Sequence, residues 1–556
     1  MSAKAFVLPA PWAHFDPKAE ATGFGRKPLA PNEFTQVEAG CPVYLAVPSD
    51  GSVRVSGYRM GAQKIGDPYV VGGATYSIWL LSVGVKPSDA RLSIEIDGRN
   101  AGGIEFTGYV SRPTFSAGVF NLATPEERAE LLDIFLLTII DLFQMVNDPE
   151  YAKEQSVTWE RLLVAWKDPS AENTIPPMAL IVKHAERLQS LMRDLLVRPR
   201  HILRRTRELT AVDRVQQLDI ACVRWLSRQP GSTVYERAGP RQEILSVQRH
   251  HSLDTLENRV FADFSMRSHR VATEYTRRYE KLRHSGRWKT VSLYGRMLLR
   301  AYRDFRERGV TVVHPPIVPN FVLLQDLRYR RLWQAYIELL RQQDEEDECW
   351  RWQHRLWSDY VRSVIHLSFL DDSRFIKIAD TPLRINQEQE RGSWIDKWSQ
   401  SGTFRIMKDQ PNDSVLSMIW ALDRRHVKVR RWMSGLGCQA VLHIQRLSDG
   451  AEAYIAIWAY HSFSANPPSL ESLCESSLNA VQNCQNNARL VDDEDLTLRG
   501  LIIASNFFQP GQNRTWRSDR GEIIAFETDV SYRARKRLFG RMGTIVLNQA
   551  ASIFTN

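Results

Sequence analysis

Twelve arginines fall in three short stretches: Arg204, Arg205 and Arg207; Arg277, Arg278, Arg283 and Arg287; and Arg296, Arg300, Arg303, Arg306 and Arg308. A guanidinium presents a planar fork of donors and is less tightly hydrated than an ammonium, so it suits the phosphate oxygens of a nucleic-acid backbone. Residues 193–308 hold 26 Lys+Arg against 13 Asp+Glu, whereas the whole chain has 73 against 64, a net charge of +9. The positive excess therefore sits in one region, and the remainder is net acidic. The candidate phosphate contacts are Arg204, Arg205, Arg207, Arg277, Arg278, Lys281, Arg283, Arg287, Arg300 and Arg303. A bland alternative stays open, in which these are solvated helix faces paired with Glu274, Glu280, Asp304 and Glu307. Arg514, Arg517, Arg520, Arg533, Arg535 and Arg537 offer a second candidate surface near the C-terminus.

Other chemistries lack their residues. No GxxxxGK[ST] phosphate loop occurs, nor HExxH, nor GxSxG. Gly23 and Gly25 form a GxG without a third glycine, and in the HxK pattern begun by His426 and Lys428 the acid position is taken by Met433. Among 13 histidines the only adjacent pair is His250-His251, which reads as polar turn residues beside a helix start. The six cysteines, Cys41, Cys222, Cys349, Cys438, Cys474 and Cys484, lie far apart without zinc-site or disulfide spacing. No metal or cofactor is expected. Met1 to Pro11 lacks the features of a signal peptide, and the most apolar window, Leu131 to Val146, is interrupted by Asp133 and Asp141. The expectation is a cytoplasmic protein without a membrane segment.

These residues must be positioned by several domains, since 556 residues exceed what one core holds. Short segments rich in β-branched and aromatic residues, such as Val53 to Tyr58, Ala74 to Val85, Leu92 to Ile96 and Gly103 to Val110, predict a β-rich domain over 1–122, a sandwich or small barrel. From Thr124 the period changes, with Leu131, Leu132, Phe135, Leu136, Ile139, Ile140 and Phe143 at helical spacing. Helices are predicted at Pro177 to Leu196, Ala211 to Ser227, Thr255 to His284, Ser292 to Arg308 and Leu327 to Gln343, giving an arginine-rich α-helical body over 123–371. Asp344 to Glu348 reads as a solvated helix surface, and Trp350, Trp352 and Trp357 as core or interface. Beyond 372 the pattern turns to α/β, with strands at Arg374 to Ile378, Ala440 to Gln445, Ala453 to Tyr460, Gly500 to Ala504 and Gly521 to Thr528, and helices at Asp413 to Asp423, Pro468 to Gln482 and Val530 to Gly540.

His251-Ser252-Leu253-Asp254-Thr255-Leu256-Glu257-Asn258-Arg259 resembles the D-T-x-E-N-R signature of a helical domain of unknown function found in McrC-like proteins of bacterial antiviral restriction systems. Upstream, Leu196 to Leu203 is similar to the family's I-x-x-x-P-x-x-x-L segment. Physically, Asp254 can cap the following helix with Glu257 as its capping-box partner, while Asn258 and Arg259 can tie that helix to a neighbour. The resemblance implies a multidomain α+β chain ending in a PD-(D/E)XK nuclease-like domain over 372–556. In that family two carboxylates hold Mg²⁺ and a lysine assists the attacking water. The matching positions here are Gln439, Ala440, Trp458 and Tyr460, none of which can do that chemistry, so the implied domain is degenerate. The implied partners are DNA and an AAA+ or other ATPase or effector subunit. An active nuclease would have to draw on Asp371, Asp372, Asp380, Asp449 or Glu452. A structural adaptor that contacts protein only is the third possibility.

Overall fold

A computed structural model describes residues 4–8, 27–39, 43–48, 51–56, 61–71, 74–81, 91–108, 112, 159–160, 162–163, 176, 178–380, 385–388, 392–395, 402–406, 414–420, 436–462, 469–492, 496–505, 514–519, 521–530 and 532–554. It divides into two compact units, residues 1–173 with 343–556, and residues 174–342. The helix expected after Thr124 lies outside the described residues.

The N-terminal region is β-rich. Its strands are β1 (Phe6–Leu8), β2 (Lys27–Pro28), β3 (Phe34–Glu38), β4 (Tyr44–Pro48), β5 (Val53–Val55), β6 (Ala62–Val71), β7 (Ala74–Leu81), β8 (Arg91–Ile96) and β9 (Arg99–Thr107). They form a five-stranded sheet, β2-β1-β4-β7-β6, and a four-stranded one, β3-β9-β8-β5. Val7, Leu45 and Val47 from the first share a core with Val53, Ile94 and Ile104 from the second, which is the sandwich arrangement. Asp97 and Gly98, at φ 51° and 73°, supply the two left-handed residues that a tight β8–β9 hairpin needs.

The 174–342 unit holds α1 (Leu180–Val197), β10 (Ile202–Ala211), α2 (Ile220–Ser227), α3 (Val234–Arg237), β11 (Glu243–Ser252), α4 (Leu256–Arg278), α5 (Gly286–Glu307), α6 (Phe321–Gln325) and the first turns of α7 (Leu327–Arg351). Helical periodicity places Val182, Met192, Phe261, Phe264, Leu298 and Tyr336 in one core. A Cβ on Gly295 would lie 3.1 Å from the Ala272 Cβ, so glycine permits the close approach of α5 to α4. Strands β10 and β11 pair antiparallel over their full length, from Ile202 opposite Ser252 to Ala211 opposite Glu243. This corrects three expectations. Arg204, Arg205 and Arg207, expected within an α-helical body, lie on a β-ribbon, His250 and His251 lie on its second strand, and Ala211 to Ser227 is α-helical only from Ile220. The two strands pair across 32 to 50 residues of sequence separation, from Ala211 with Glu243 to Ile202 with Ser252, a pairing that local propensity does not display.

The rest of the chain comprises the end of α7, α8 (Gln353–Asp371), β12 (Phe375–Ala379), β13 (Ile385–Glu388), β14 (Gly392–Ile395), β15 (Thr403–Ile406), β16 (Ser414–Trp420), β17 (Ala440–Arg446), β18 (Glu452–Tyr460), α9 (Leu470–Asp492), β19 (Leu498–Ser505), β20 (Arg514–Arg517), β21 (Ile523–Thr528) and α10 (Tyr532–Phe554). Eight strands form one sheet in the order β12-β15-β16-β17-β18-β19-β21-β20. Neighbours from β12 to β18 run antiparallel, β19 returns parallel to β18 after α9, and β21 is parallel to β19. Period-two alternation gives the sheet two apolar faces: Leu442, Ile455 and Ile503 pack with Trp357 and Phe539, while Val441, Trp458 and Ile502 pack with Leu473 and Val481 of α9.

Strand β16 replaces the helix expected over Asp413 to Asp423; its pairing with β15 and β17 on both edges overrides the local pattern. Trp350, Trp352 and Trp357 are core residues. Glu346 is buried and paired with Arg112 at 2.5 Å, so the acidic run is not wholly solvated. Residues 343–371 group with the C-terminal sheet and not with the helical body.

Candidate nucleic-acid interface

The Asp254–Arg259 motif forms a hub of buried polar contacts. Thr255, not Asp254, caps α4, accepting from the Asn258 backbone N–H. Asp254 instead accepts a two-pronged pair from Arg259, Nε at 2.7 Å and Nη2 at 2.6 Å, and its Oδ1 also takes the Thr311 N–H and hydroxyl at 2.9 and 3.0 Å. The Arg259 guanidinium holds this carboxyl far below the usual carboxylate range. Glu257, 2% exposed, accepts from Arg200 at 2.6 Å and from Asn320 at 2.8 Å. Asn258, fully buried, donates to the carbonyls of Arg200 and Leu253 and accepts from Tyr329 Oη at 2.9 Å. The motif thus ties α4 to the 198–203 segment and to the chain between α5 and α7.

The ribbon rises from this hub. Arg204 leans back on it, with Nη2 3.0 Å from the Asp254 carbonyl. Arg207 is held by Asp219, Nη2 to Oδ2 at 2.6 Å, and that contact pulls the Asp219 carboxyl well down. Arg205 stands opposite Arg249 across the ribbon, and among the described residues Arg249 meets the neutral Gln217 side chain, at 3.0 Å, and makes no ion pair. Like charges facing each other across strands repel, so this is a position where a bound anion would be favourable.

Helix α5 carries a second cationic array. Lys289, Arg296, Arg300 and Arg303 are exposed, recur at helical spacing on one face, and make no ion pair among the described residues. At 1.5 Å per residue the stripe runs about 21 Å. Arg270 of α4, also exposed and without such a pair, follows His269, whose Nδ1 lies 2.9 Å from the Gly295 carbonyl oxygen. The other expected contacts differ. Arg287 is buried with Nη1 3.2 Å from the Pro176 carbonyl oxygen, which removes it from the surface. Arg283 is exposed beside His284, Arg277 and Arg278 occupy the last turn of α4, and Arg278 lies over the Tyr279 ring. The Lys281 side chain lies outside the described residues. Arg270 and Lys289 were not singled out from the sequence, and Arg296 was named in its arginine run but not among the candidate contacts, although the i, i+4, i+7 spacing of 296, 300 and 303 was there to be read.

In the C-terminal sheet Gln439, Ala440, Trp458 and Tyr460, the positions singled out from the sequence, are taken up by packing and backbone hydrogen bonds. The Gln439 side chain accepts from the Ala459 N–H at 2.8 Å, and Ala440 is fully buried. Trp458 is fully buried, donates Nε1 to the Leu436 carbonyl at 3.1 Å, and covers Gly500, where a Cβ would lie 2.6 Å from its ring. Tyr460 lies on the same face of β18. Of the candidate acids, Asp372 is held by Arg374 and Asp449 by Arg446, and Glu452 accepts from Tyr454 Oη at 2.6 Å. Asp380 Oδ2 lies 3.3 Å from Lys377 Nζ and 3.8 Å from the buried His366 Nε2, and Lys377 also pairs with Glu160. No group of three or more His, Cys, Asp or Glu among the described residues could hold a metal.

Residues 161–300, about a quarter of the chain, match the family model of a domain of unknown function (DUF2357). The matched stretch contains the ribbon, the hub motif and most of α5. No curated protein matches the chain. Among solved structures, a chain of a Thermococcus gammatolerans tetradecameric assembly of McrB AAA+ hexamers with bound McrC is similar, with 11% identity over 86% of this chain and 85% of that one and a TM-score of 0.20. No helix among the described residues is long and apolar enough to cross a membrane.

Proposed function

We propose that this chain is a non-catalytic, DNA-binding subunit of a restriction-like antiviral defence complex, working with a separate AAA+ ATPase or other effector. The observation that carries the reading is the α5 stripe, four exposed cations without ion pairs among the described residues, along about 21 Å of helix. Each strand of duplex DNA offers a phosphate every 3.4 Å of helix axis, so a stripe of this length laid along the axis spans about six of them on one strand. Contacts of this kind give affinity without reading bases, and the binding is expected to be salt-sensitive and weakly sequence-specific. The non-catalytic part is supported by the side chains of Gln439, Ala440, Trp458 and Tyr460, which supply no carboxylate or lysine, with Gln439 and Trp458 engaged in hydrogen bonds to backbone groups. The ATPase partner follows from the McrC-like resemblance and from the absence of a phosphate loop in this sequence.

A metal-dependent nuclease of the PD-(D/E)XK class is the second reading. One observation favours it, the meeting of Asp380, Glu160 and Lys377 beside His366. Fluorescence anisotropy with labelled duplex and single-stranded DNA, with Mg²⁺ or Mn²⁺ cleavage assayed in the same tubes, separates the possibilities. Binding with intact DNA supports the proposal. Cleavage abolished by Asp380→Ala establishes the nuclease, and no binding at low salt leaves the protein-only adaptor.

A further inference from the structure

The segment between α5 and α7 is held more firmly than a connection requires. Two hub side chains grip it, Asp254 through Thr311 and Glu257 through Asn320, and Asn258 holds Tyr329 in the first turn of α7 just beyond it. Asn320 in turn caps α6, accepting from the Leu323 N–H at 3.0 Å. Buried polar groups are costly to place, and here they are spent on fixing one stretch of about 19 residues.

The segment has its own inward anchors. Leu323 is fully buried, and Val313, Ile317 and Val322 pack against the same core. Val318, Phe321, Leu324 and Leu327 face outward, and Val197, at the end of α1, joins them through the Arg328 Nη1 contact to the neighbouring Arg198 carbonyl at 3.3 Å. Val318, Val197 and Phe321 are 85%, 78% and 77% exposed, far beyond what a half-packed surface residue shows. Isolated exposed apolar residues are ordinary, but a contiguous set on a fixed backbone marks an interaction site.

Charge selects the occupant. From Gly309 to Arg331 the only acid is Asp326, already engaged by the Arg328 and Tyr329 N–H groups and by the Arg328 guanidinium. Arg198, Arg330 and Arg331 border the apolar set; they are exposed and make no ion pair among the described residues. Of the set only Phe321 offers a ring on which a base could stack, while Val197, Val318, Leu324 and Leu327 offer none, so nucleic acid would gain little beyond the rim.

We propose that this face is a preformed docking surface for an acidic amphipathic segment of a partner protein, with large apolar side chains seated against Phe321 and Leu327 and carboxylates meeting Arg198, Arg330 and Arg331. Fixing the backbone beforehand lowers the ordering cost of association. The inference does not depend on the DNA reading, because the α5 stripe takes no part in it.

The test is to pan a random-peptide phage library on the full-length protein, with depletion on the Phe321→Asp variant, and to measure synthetic copies of the enriched peptides. Enriched peptides should combine apolar residues at i, i+3 or i+4 spacing with Asp or Glu, and should bind about tenfold more weakly to Phe321→Ala. The Arg330→Glu/Arg331→Glu variant should also bind them more weakly, and it provides a second test should Phe321→Asp misfold. Enriched peptides without acids, or with affinity unmoved by both variants, overturn the proposal. So does flotation with phosphatidylserine-containing vesicles that Phe321→Asp abolishes, which would assign the face to lipid. A concentration-dependent dimer lost in the same variant would assign it to a second copy and equally overturn the proposal.

Discussion

Removing Arg300 and Arg303 together tests the phosphate-binding role of α5 quantitatively. Both side chains are exposed and without ion pairs among the described residues, so Arg300→Ala/Arg303→Ala should leave folding stability within about 0.5 kcal/mol of the starting protein. The effect belongs to binding. Each phosphate neutralised on duplex DNA contributes about −0.9 to the slope of log K against log salt. Four stripe cations therefore give a slope of about −3.6 and the double variant about −1.8. Between about 50 and 200 mM salt the intact protein should weaken roughly 150-fold, and the variant only roughly 12-fold. Anisotropy titrations of a labelled duplex at four or more salt concentrations read both slopes directly. Equal slopes would refute the reasoning and move the phosphate contacts elsewhere, first to Arg205 and Arg249 on the ribbon. A lower affinity with an unchanged slope would mean that the substitutions act through shape, not charge.

Three further outcomes concern stability. Asn258→Ala strands the Tyr329 hydroxyl and the Arg200 and Leu253 carbonyls, and should cost about 3 kcal/mol in urea unfolding; a loss under about 1 kcal/mol would show that the hub is dispensable. Burial holds His461 at about 3, against 6.5 in the unfolded chain, so its neutral form stabilises the fold fully above pH 6.5 and that stability is lost as pH falls towards 3. At pH 5 the loss is about 2 kcal/mol, and a His461→Gln protein should lose correspondingly less between pH 7.5 and 5 when melting is followed by circular dichroism. Trp458→Ala opens a cavity above Gly500 and should destabilise by about 3 to 5 kcal/mol, where an exposed tryptophan would cost almost nothing.

The sequence was informative wherever one element's own pattern decided its state. Helices α1, α4 and α5 and strands β17 to β19 follow from periodicity, and the arginine array on α5 follows from spacing. It failed where a distant partner decides. Ile202 to Ala211 becomes a strand only because Glu243 to Ser252 lies beside it, and Ser414 to Trp420 because two strands flank it. The motif residues were visible but their jobs were not: Asp254 stands one residue before the cap, and its acceptor capacity goes to Arg259 and to Thr311, 57 residues away. Arginine pairing was equally hidden. Nothing local distinguishes Arg287, turned inward to Pro176, from Arg300, which stays exposed.

The interrupted path of the chain has a consequence for synthesis. Residues 174–342 form their unit from contiguous sequence, whereas the core of the other unit joins Trp159 and Leu162 to Met542 and Ala550. A nascent chain can close the first set of contacts long before the second, which waits for α10 to leave the ribosome. The early half of the discontinuous unit must therefore persist, incomplete and with apolar surface uncovered, while some 170 residues of the inserted unit are made, at about 5 to 20 residues per second. Translation speed across the insert thus sets how long that surface stays open to chaperones and to aggregation.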